Sequence, residues 1–271
     1  MKIVAAKTRL DLLLVRRGHF PSREKARAAI MAGDVTVNGT VVDKPGQKVE
    51  DGAAIISVRK KPPYVSRGGL KLARALQVFS IDLQDRVVLD VGASTGGFTD
   101  CALQNGAALV YAVDVGYGQM DWLLRTDPRV QLLERTNIRY LTRDAFTRGI
   151  PDFVTVDVSF ISLALVLPRV DYLLERYEGI ALVKPQFEAG RRFVGKKGVV
   201  KDPGVHRAVL QKVVGVVEEM GAAVEGISHS PIKGPEGNIE YLLHFKKPGC
   251  SAPGLSGLPA LAVEAAHREL Q

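Results

Sequence analysis

Leu10, Leu13, Leu14 and Val15 stand at helical spacing, and Gly18 predicts where their helix stops. A second helix is expected from the N-cap Ser22 through Lys25, Arg27 and Ile30, ending at Gly33. Short β segments follow: Val35–Val37, a turn at Asn38-Gly39, Val41–Val42, and a further strand over 54–58. Residues 1–61 therefore predict a small α+β unit. Lys60-Lys61-Pro62-Pro63 stiffens what comes next, and the linker is placed at 62–66. From 67 to 247 the pattern changes. Apolar runs at 86–90, 109–113, 153–157, 180–184 and 239–245 alternate with helical stretches at 97–105, 163–177 and 205–220. Strands alternating with helices predict an α/β domain with a doubly wound, mostly parallel sheet, covered on both faces. Residues 248–258 read as a loop and 259–270 as a closing helix. The segment 248–271 is expected to pack on the larger domain.

Charge divides the chain at the same place. The net charge is +8, yet residues 1–61 hold 13 Lys/Arg against 6 Asp/Glu while the remainder is nearly balanced. Such asymmetry points to a polyanion-binding module beside a neutral body. Other classes are excluded or disfavoured. No stretch reaches the ~18 apolar residues of a membrane helix. The first apolar run is interrupted by Lys7, Arg9 and Asp11, so it makes a poor signal peptide. Cys101 and Cys250 offer neither a disulfide framework nor metal-ligand spacing. The expectation is a cytoplasmic protein with no metal and no membrane partner. A monomer is compatible with the absence of any coiled-coil seam.

The order RLDLLLVRRG, SREKARAAIMAG, DVTVNG resembles the RNA-binding domain named after small-subunit ribosomal protein S4. The resemblance implies helices that present cations to RNA, with Arg9, Arg16, Arg17, Arg23, Lys25 and Arg27 as phosphate contacts. Arg23 and Arg27, four residues apart, are expected to share a helix face.

In the larger domain, Asp90-Val91-Gly92-Ala93-Ser94-Thr95-Gly96-Gly97-Phe98 follows the first strand. A glycine-rich strand-to-helix turn lets a ligand approach backbone closely. Its spacing is neither the dinucleotide fingerprint nor a P-loop, which disfavours NAD and nucleoside triphosphates. Asp114 ends the next strand, where a carboxylate can accept from ribose hydroxyls. The turn resembles the cofactor loop of class I (Rossmann-like) methyltransferases, and its Ser-Thr-Gly-Gly-Phe form resembles FtsJ-like RNA 2′-O-methyltransferases. That implies a seven-stranded sheet and S-adenosyl-L-methionine bound by Asp90, Gly92, Ala93, Ser94, Gly96, Gly97, Phe98, Asp114 and Asp157. Asn137 is implied near the adenine. Pro62-Pro63-Tyr64 resembles part of an amino-group methyltransferase motif, but Lys61 precedes it in place of Asp or Asn, so that match is rejected.

Four charges occupy informative places. Lys71 begins a helix, Asp157 and Lys184 end apolar strands, and Glu240 begins the last strand. Ligands of an open parallel sheet bind beyond the strand ends. The set is similar to the Lys-Asp-Lys-Glu tetrad of FtsJ-like enzymes. A ribose hydroxyl must lose its proton as it attacks, and a lysine base needs burial and a nearby cation to favour its neutral form. The resemblance then implies Lys184 as base or hydroxyl-orienting group, and Lys71 as the cation that steadies developing oxygen charge. Asp157 would orient Lys184 and the methionine ammonium; Glu240 would orient Lys71 or the ribose. Such a set suits a hydroxyl better than a base or a protein nitrogen.

Past this site, Arg191 and Arg192 open a basic, glycine-loosened stretch suited to gripping RNA. Tyr64, Phe160, Phe187 and Phe193 are candidates to stack an extruded base, with Phe160 and Phe187 favoured by their strand-end positions. His206 and His229 read as structural.

Taken in order, these segments with SRGGLKL, DVSFISL, VKPQFEAGR and KGPEGNIEYL resemble the TlyA family over nearly the whole chain. That implies ribosomal RNA (cytidine-2′-O)-methylation, on large-subunit RNA and in some members the small subunit too, with ribosomal RNA or a ribosomal subunit as partner. The short N-terminal lead favours the large-subunit branch. Competing readings are a membrane-active haemolysin, disfavoured by the lack of a spanning or amphipathic cationic helix, and an RNA-binding protein with an inert methyltransferase fold.

Overall fold

The computed structural model describes residues 7–52, 54–58, 62–249 and 257–270. Lys60 and Lys61, just before the expected linker, and 250–256 of the expected C-terminal loop lie outside these. The chain forms two compact units, 1–62 and 63–271.

In the smaller unit, β1 (Lys7–Arg9) leads directly into α1 (Leu10–Arg16), followed by α2 (Arg23–Met31), β2 (Val35–Val37), β3 (Thr40–Val41), β4 (Lys48–Glu50) and β5 (Ile56–Val58). Ser22 caps α2 by accepting from Lys25 N. Gly18 and Gly33 take the left-handed conformation that ends each helix. Asn38 and Gly39 both have positive φ, at 52° and 80°, as a two-residue hairpin turn requires. This turn pairs Val37 with Thr40, so the second hairpin strand is 40–41 rather than 41–42. Leu10, Leu13, Leu14, Ala26, Ile30 and Val35 form the core. β1 and β4 pair with each other and were not expected, being short and mostly polar.

The larger unit opens with α3 (Gly68–Phe79). It continues through β6 (Val87–Val91), α4 (Gly97–Gln104), β7 (Leu109–Val113), α5 (Trp122–Arg125), β8 (Val130–Leu133), β9 (Phe153–Val156), α6 (Leu163–Leu173) and β10 (Tyr177–Val183). The chain then runs through α7 (Pro185–Glu188), α8 (Pro203–Glu219), β11 (Ala223–His229), β12 (Tyr241–Lys247) and α9 (Leu258–Glu269). Its seven strands lie in the order β11-β12-β10-β9-β6-β7-β8. Pairing is parallel from β8 through β10; β12 runs against both its neighbours. Strand side chains alternate between two cores. Val88 joins the one under α3 and α4, while Leu89 and Val91 join the one under α6, α8 and α9. This is the doubly wound sheet expected, with β8 and β11 added and the helix over 163–177 cut short at Leu173. Tyr177 already belongs to β10, where it pairs with Lys247. Val65 N donates to Asp100 Oδ2 and Gln104 Nε2 to Pro63 O, so 63–66 lies on α4.

Candidate active site

Parallel strands deliver their carboxyl ends to one rim of the sheet, and a cleft of about 420 Å³ opens there beyond β6, β7 and β9. The turn after β6 forms its floor. Gly92 has φ +87°, and a Cβ there would meet Asp157 O at 2.4 Å, so only glycine fits. Asp114, just past β7, accepts from Ser94 N and from Gly116 N, each at 2.7 Å. It thereby ties the turn to the next loop while facing the cleft. Asn137 lies on the far wall and caps a short 3-10 turn through Arg139 N. Gly92, Ser94, Asp114, Asn137 and Asp157 all line this space.

Five residues expected at the cofactor do not. Asp90 is fully buried, accepting from Thr99 Oγ1 at 2.6 Å and Thr155 Oγ1 at 2.8 Å. Burial pushes its carboxyl up to about 6. It braces the turn from beneath. Ala93 and Phe98 belong to the core under α3. Gly97 is where α4 meets α3: a Cβ there would strike Ser66 Oγ at 2.2 Å and Gly69 N at 2.8 Å. Gly96, at φ +93°, leaves room for Leu124. Walls that sequence reasoning missed are Val115, Gln119 and Ile138. They sit in irregular segments after β7 and β8, and no spacing marks them.

The four candidate catalytic charges form two ion pairs. Lys184 Nζ lies 2.6 Å from Asp157 Oδ1 and donates to Ser159 Oγ at 3.0 Å. The approach to Oδ1 is out of line for a hydrogen bond, so this buried oxygen has a charge contact but no aligned donor. Lys71 Nζ lies 2.6 Å from Glu240 Oε2, with Lys71 8% and Glu240 1% exposed. The register brings the pairs to one rim. Val183 faces Tyr241, which sets Lys184 and Glu240 at the same end of neighbouring strands. Ala181 faces Val156, which brings Asp157 to that end from the other side. Of the two partners the sequence left open for Glu240, Lys71 is the one it meets here. Ser159 as a partner of Lys184 was missed, although DVS after a strand placed it nearby.

Among the aromatic candidates, Phe160 is 90% exposed at φ +62°, with its ring centroid 5.0 Å from that of Phe187. Tyr64 is partly buried, packed against Gly69 and the core. Phe193 is exposed beneath the Arg192 guanidinium. His206 is fully buried between Val200 O and Tyr241 Oη, and burial holds its imidazole below the usual range. His229 is buried and faces Glu269 at 3.2 Å.

The cations expected to meet RNA divide. Lys25 and Arg27 are exposed, as are Arg191 and Arg192. Arg16 pairs with Asp51, and Arg17 donates to the carbonyls of Asp51 and Ala54. Arg9 and Arg23 both meet Asp11, which ties Arg23 to α1.

A seven-stranded sheet with this turn and rim is the architecture of a class I methyltransferase. A model of the FtsJ-like methyltransferase family matches residues 64–247, and one of the S4 domain matches 8–55. The chain belongs to the FtsJ-like methyltransferase family and carries an S4 domain. It is 52% identical to YqxC of Bacillus subtilis, described as a candidate rRNA methyltransferase, over 99% of this chain and 97% of that one. It is 45% identical to the 16S/23S rRNA (cytidine-2′-O)-methyltransferase TlyA of Mycobacterium tuberculosis, over 98% of each. A solved structure from Streptococcus thermophilus, described as a candidate hemolysin, superposes with a TM-score of 0.75 at 46% identity, over 98% of each chain.

Proposed function

We propose that this protein methylates the ribose 2′-oxygen of a cytidine in ribosomal RNA, using S-adenosyl-L-methionine. The observation that carries the reading is the paired set Lys184–Asp157 and Lys71–Glu240 at the rim beside the cleft. The cleft fits the donor. Asp114 keeps lone pairs free for ribose hydroxyls, Gly92 lets the turn close against Asp157 O, and the Asp157 carboxylate, which lines the cleft beside Lys184, would meet the methionine ammonium. When bound, S-adenosyl-L-methionine supplies a sulfonium methyl and leaves as S-adenosylhomocysteine.

The chain's own residues do the rest. Lys184 is the base or the hydroxyl-orienting group: it holds the 2′-oxygen and takes the proton only with Nζ as the neutral amine, while Asp157 and Ser159 keep Nζ in place. Lys71, fixed by Glu240, steadies negative charge on the oxygen. Phe160 and Phe187 offer a surface for the extruded base, and Arg191 and Arg192 grip the strand nearby. The S4 unit anchors the ribosomal RNA. Large-subunit RNA is the first substrate to test and small-subunit RNA the second, with the work done beside ribosomes in the cytoplasm. The hemolysin name belongs to a relative; among the described residues no helix is long and apolar enough to cross a membrane.

The test is transfer of labelled methyl from S-adenosyl-L-methionine to ribosomal subunits that lack the modification, with Lys184→Ala alongside. Label on cytidine ribose, lost in the variant, supports enzyme and site together. Cofactor binding with no label on either subunit refutes the substrate.

A further inference from the structure

Asp11 is a carboxylate with no solvent exposure, in the first turn of α1. Every side of it is occupied. Arg9 donates from Nε at 3.0 Å and from Nη2 at 2.9 Å, Arg23 from Nε at 2.9 Å, and the Leu12 amide at 3.0 Å. The hydrogen bond from Arg9, backed by Arg23, outweighs burial and holds the carboxyl down to about 2. Asp11 is therefore a fixed anion beneath two arginines.

Those arginines are not buried with it. Their side chains remain 43% and 49% exposed. Asp11 engages one edge of the Arg9 fork and only Nε of Arg23. Nη1 of Arg9 and both terminal nitrogens of Arg23 have no hydrogen-bond partner among the described residues. Arg9 Nη2 and Arg23 Nε bond the same oxygen, Oδ2, so they stand no further apart than twice that bond length. Two positive charges on one negative leave a net cation with unspent donors on both arginines.

We propose that Asp11 makes Arg9 and Arg23 into one preformed site for a single phosphate of the RNA backbone. The proposal rests on the reading of the smaller unit as an RNA anchor and says how two of its cations work. Free arginines lose side-chain freedom when they close on a phosphate; arginines already locked by a buried carboxylate lose less of it then. Guanidinium–phosphate contacts through parallel N–H donors are strong and directional. The arrangement also separates geometry from charge. Asp11 repels RNA, so a purely electrostatic surface would bind better without it. A preformed site would bind worse.

The experiment measures affinity of the full-length protein for in vitro transcribed large-subunit ribosomal RNA across a salt series. The variants are Asp11→Asn, Arg9→Lys, Arg23→Lys and the double Arg9→Gln/Arg23→Gln. Asp11→Asn is expected to weaken binding about tenfold, the size of one charge-assisted contact, despite its gain of one positive charge. Binding as tight as wild type, or tighter, overturns the proposal. If Asp11→Asn unfolds the smaller unit, as circular dichroism and thermal melting would reveal, the lysine variants decide. They keep the charge and the Asp11 partner but not the fork. Each should lose affinity several-fold at an unchanged salt slope; wild-type affinity in both refutes the preformed site. Should the double glutamine variant bind like wild type at every salt concentration, these arginines do not meet RNA at all, and the underlying reading fails for them.

Discussion

Lys71 Nζ lies 2.6 Å from Glu240 Oε2, joining the first turn of the larger unit's opening helix to the start of its reversed strand. Both groups are almost out of water, where losing one partner strands the other's charge. Glu240→Gln is expected to lower kcat for methyl transfer by ~10²-fold or more, in the usual range for positioned acid–base groups. S-adenosyl-L-methionine affinity, read by calorimetry, should stay within a few-fold. Parallel loss of cofactor binding would assign Glu240 to the fold instead.

Gly92 meets the carbonyl of Asp157 across the cleft floor. Gly92→Ala places a Cβ 2.4 Å from that oxygen at a φ of +87°. The backbone must shift, at a cost of about 1–3 kcal/mol. Cofactor affinity should fall at least tenfold while RNA affinity, measured by filter binding, holds.

Asp90 supplies a pH dependence. Its carboxyl is raised to about 6 by burial, from an ordinary value near 3.8. A raised acid binds its proton more tightly folded than unfolded, so stability falls as pH climbs from about 4 to 6 and then levels. For this fully buried group the loss amounts to about 3 kcal/mol. Asp90→Asn keeps a donor and an acceptor for Thr99 and Thr155, so it should lack this component. Melting curves of both proteins from pH 4 to 7 should converge at the acid end and separate above it. Curves that stay parallel throughout count against a raised Asp90.

Glu188 ends α7 and reaches the start of α6, accepting from Ser162 Oγ and Leu163 N at 2.6 Å each, with Lys212 at 3.3 Å. It therefore latches the loop carrying Ser159 and Phe160 to the helix that follows Lys184. Glu188→Ala should cost about 1–3 kcal/mol of stability through the buried donors left unpaired. It should also raise KM for RNA more than KM for the cofactor. A fall in kcat alone would be the wrong pattern.

Arg191 and Arg192 have no carboxylate partner among the described residues. Replacing both by Gln should reduce the slope of log affinity against log salt for RNA by up to about two, with cofactor binding unchanged. An unaltered slope means the loop does not touch RNA.

Much of this was legible from pattern. The strands β6, β7, β9, β10 and β12 are apolar on both faces because helices cover both, and such runs stand out. β8 is a four-residue edge strand, half-buried throughout, and β11 carries Glu225 and Gly226 at a register shift, so neither gave a clean run. Charges that end apolar strands marked Asp157 and Lys184. The other pair was less visible: Lys71 and Glu240 are 169 positions apart and meet only where α3 packs beside β12. Asp90 misled for a physical reason. Position in a motif does not say which way a strand-end side chain turns, and this one turns inward to two threonines. Likewise Arg9 and Arg23 looked like free surface cations because nothing in the sequence shows that Asp11 is buried between them.

The reversed strand has a wider consequence. A sheet of parallel strands offers its rim only chain exits, each followed by a loop that can drift. β12 offers an entrance: Glu240 reaches the rim just before the strand begins, and the ladders to β10 and β11 hold what comes after it. The position of Glu240 at the rim is thus indexed to strand register. Deleting one residue between Gly234 and Asn238 would shorten a loop, whereas deleting one within 241–247 would move every later pair by one step and turn inward-facing side chains outward. The chain should tolerate length changes before Glu240 far better than after it.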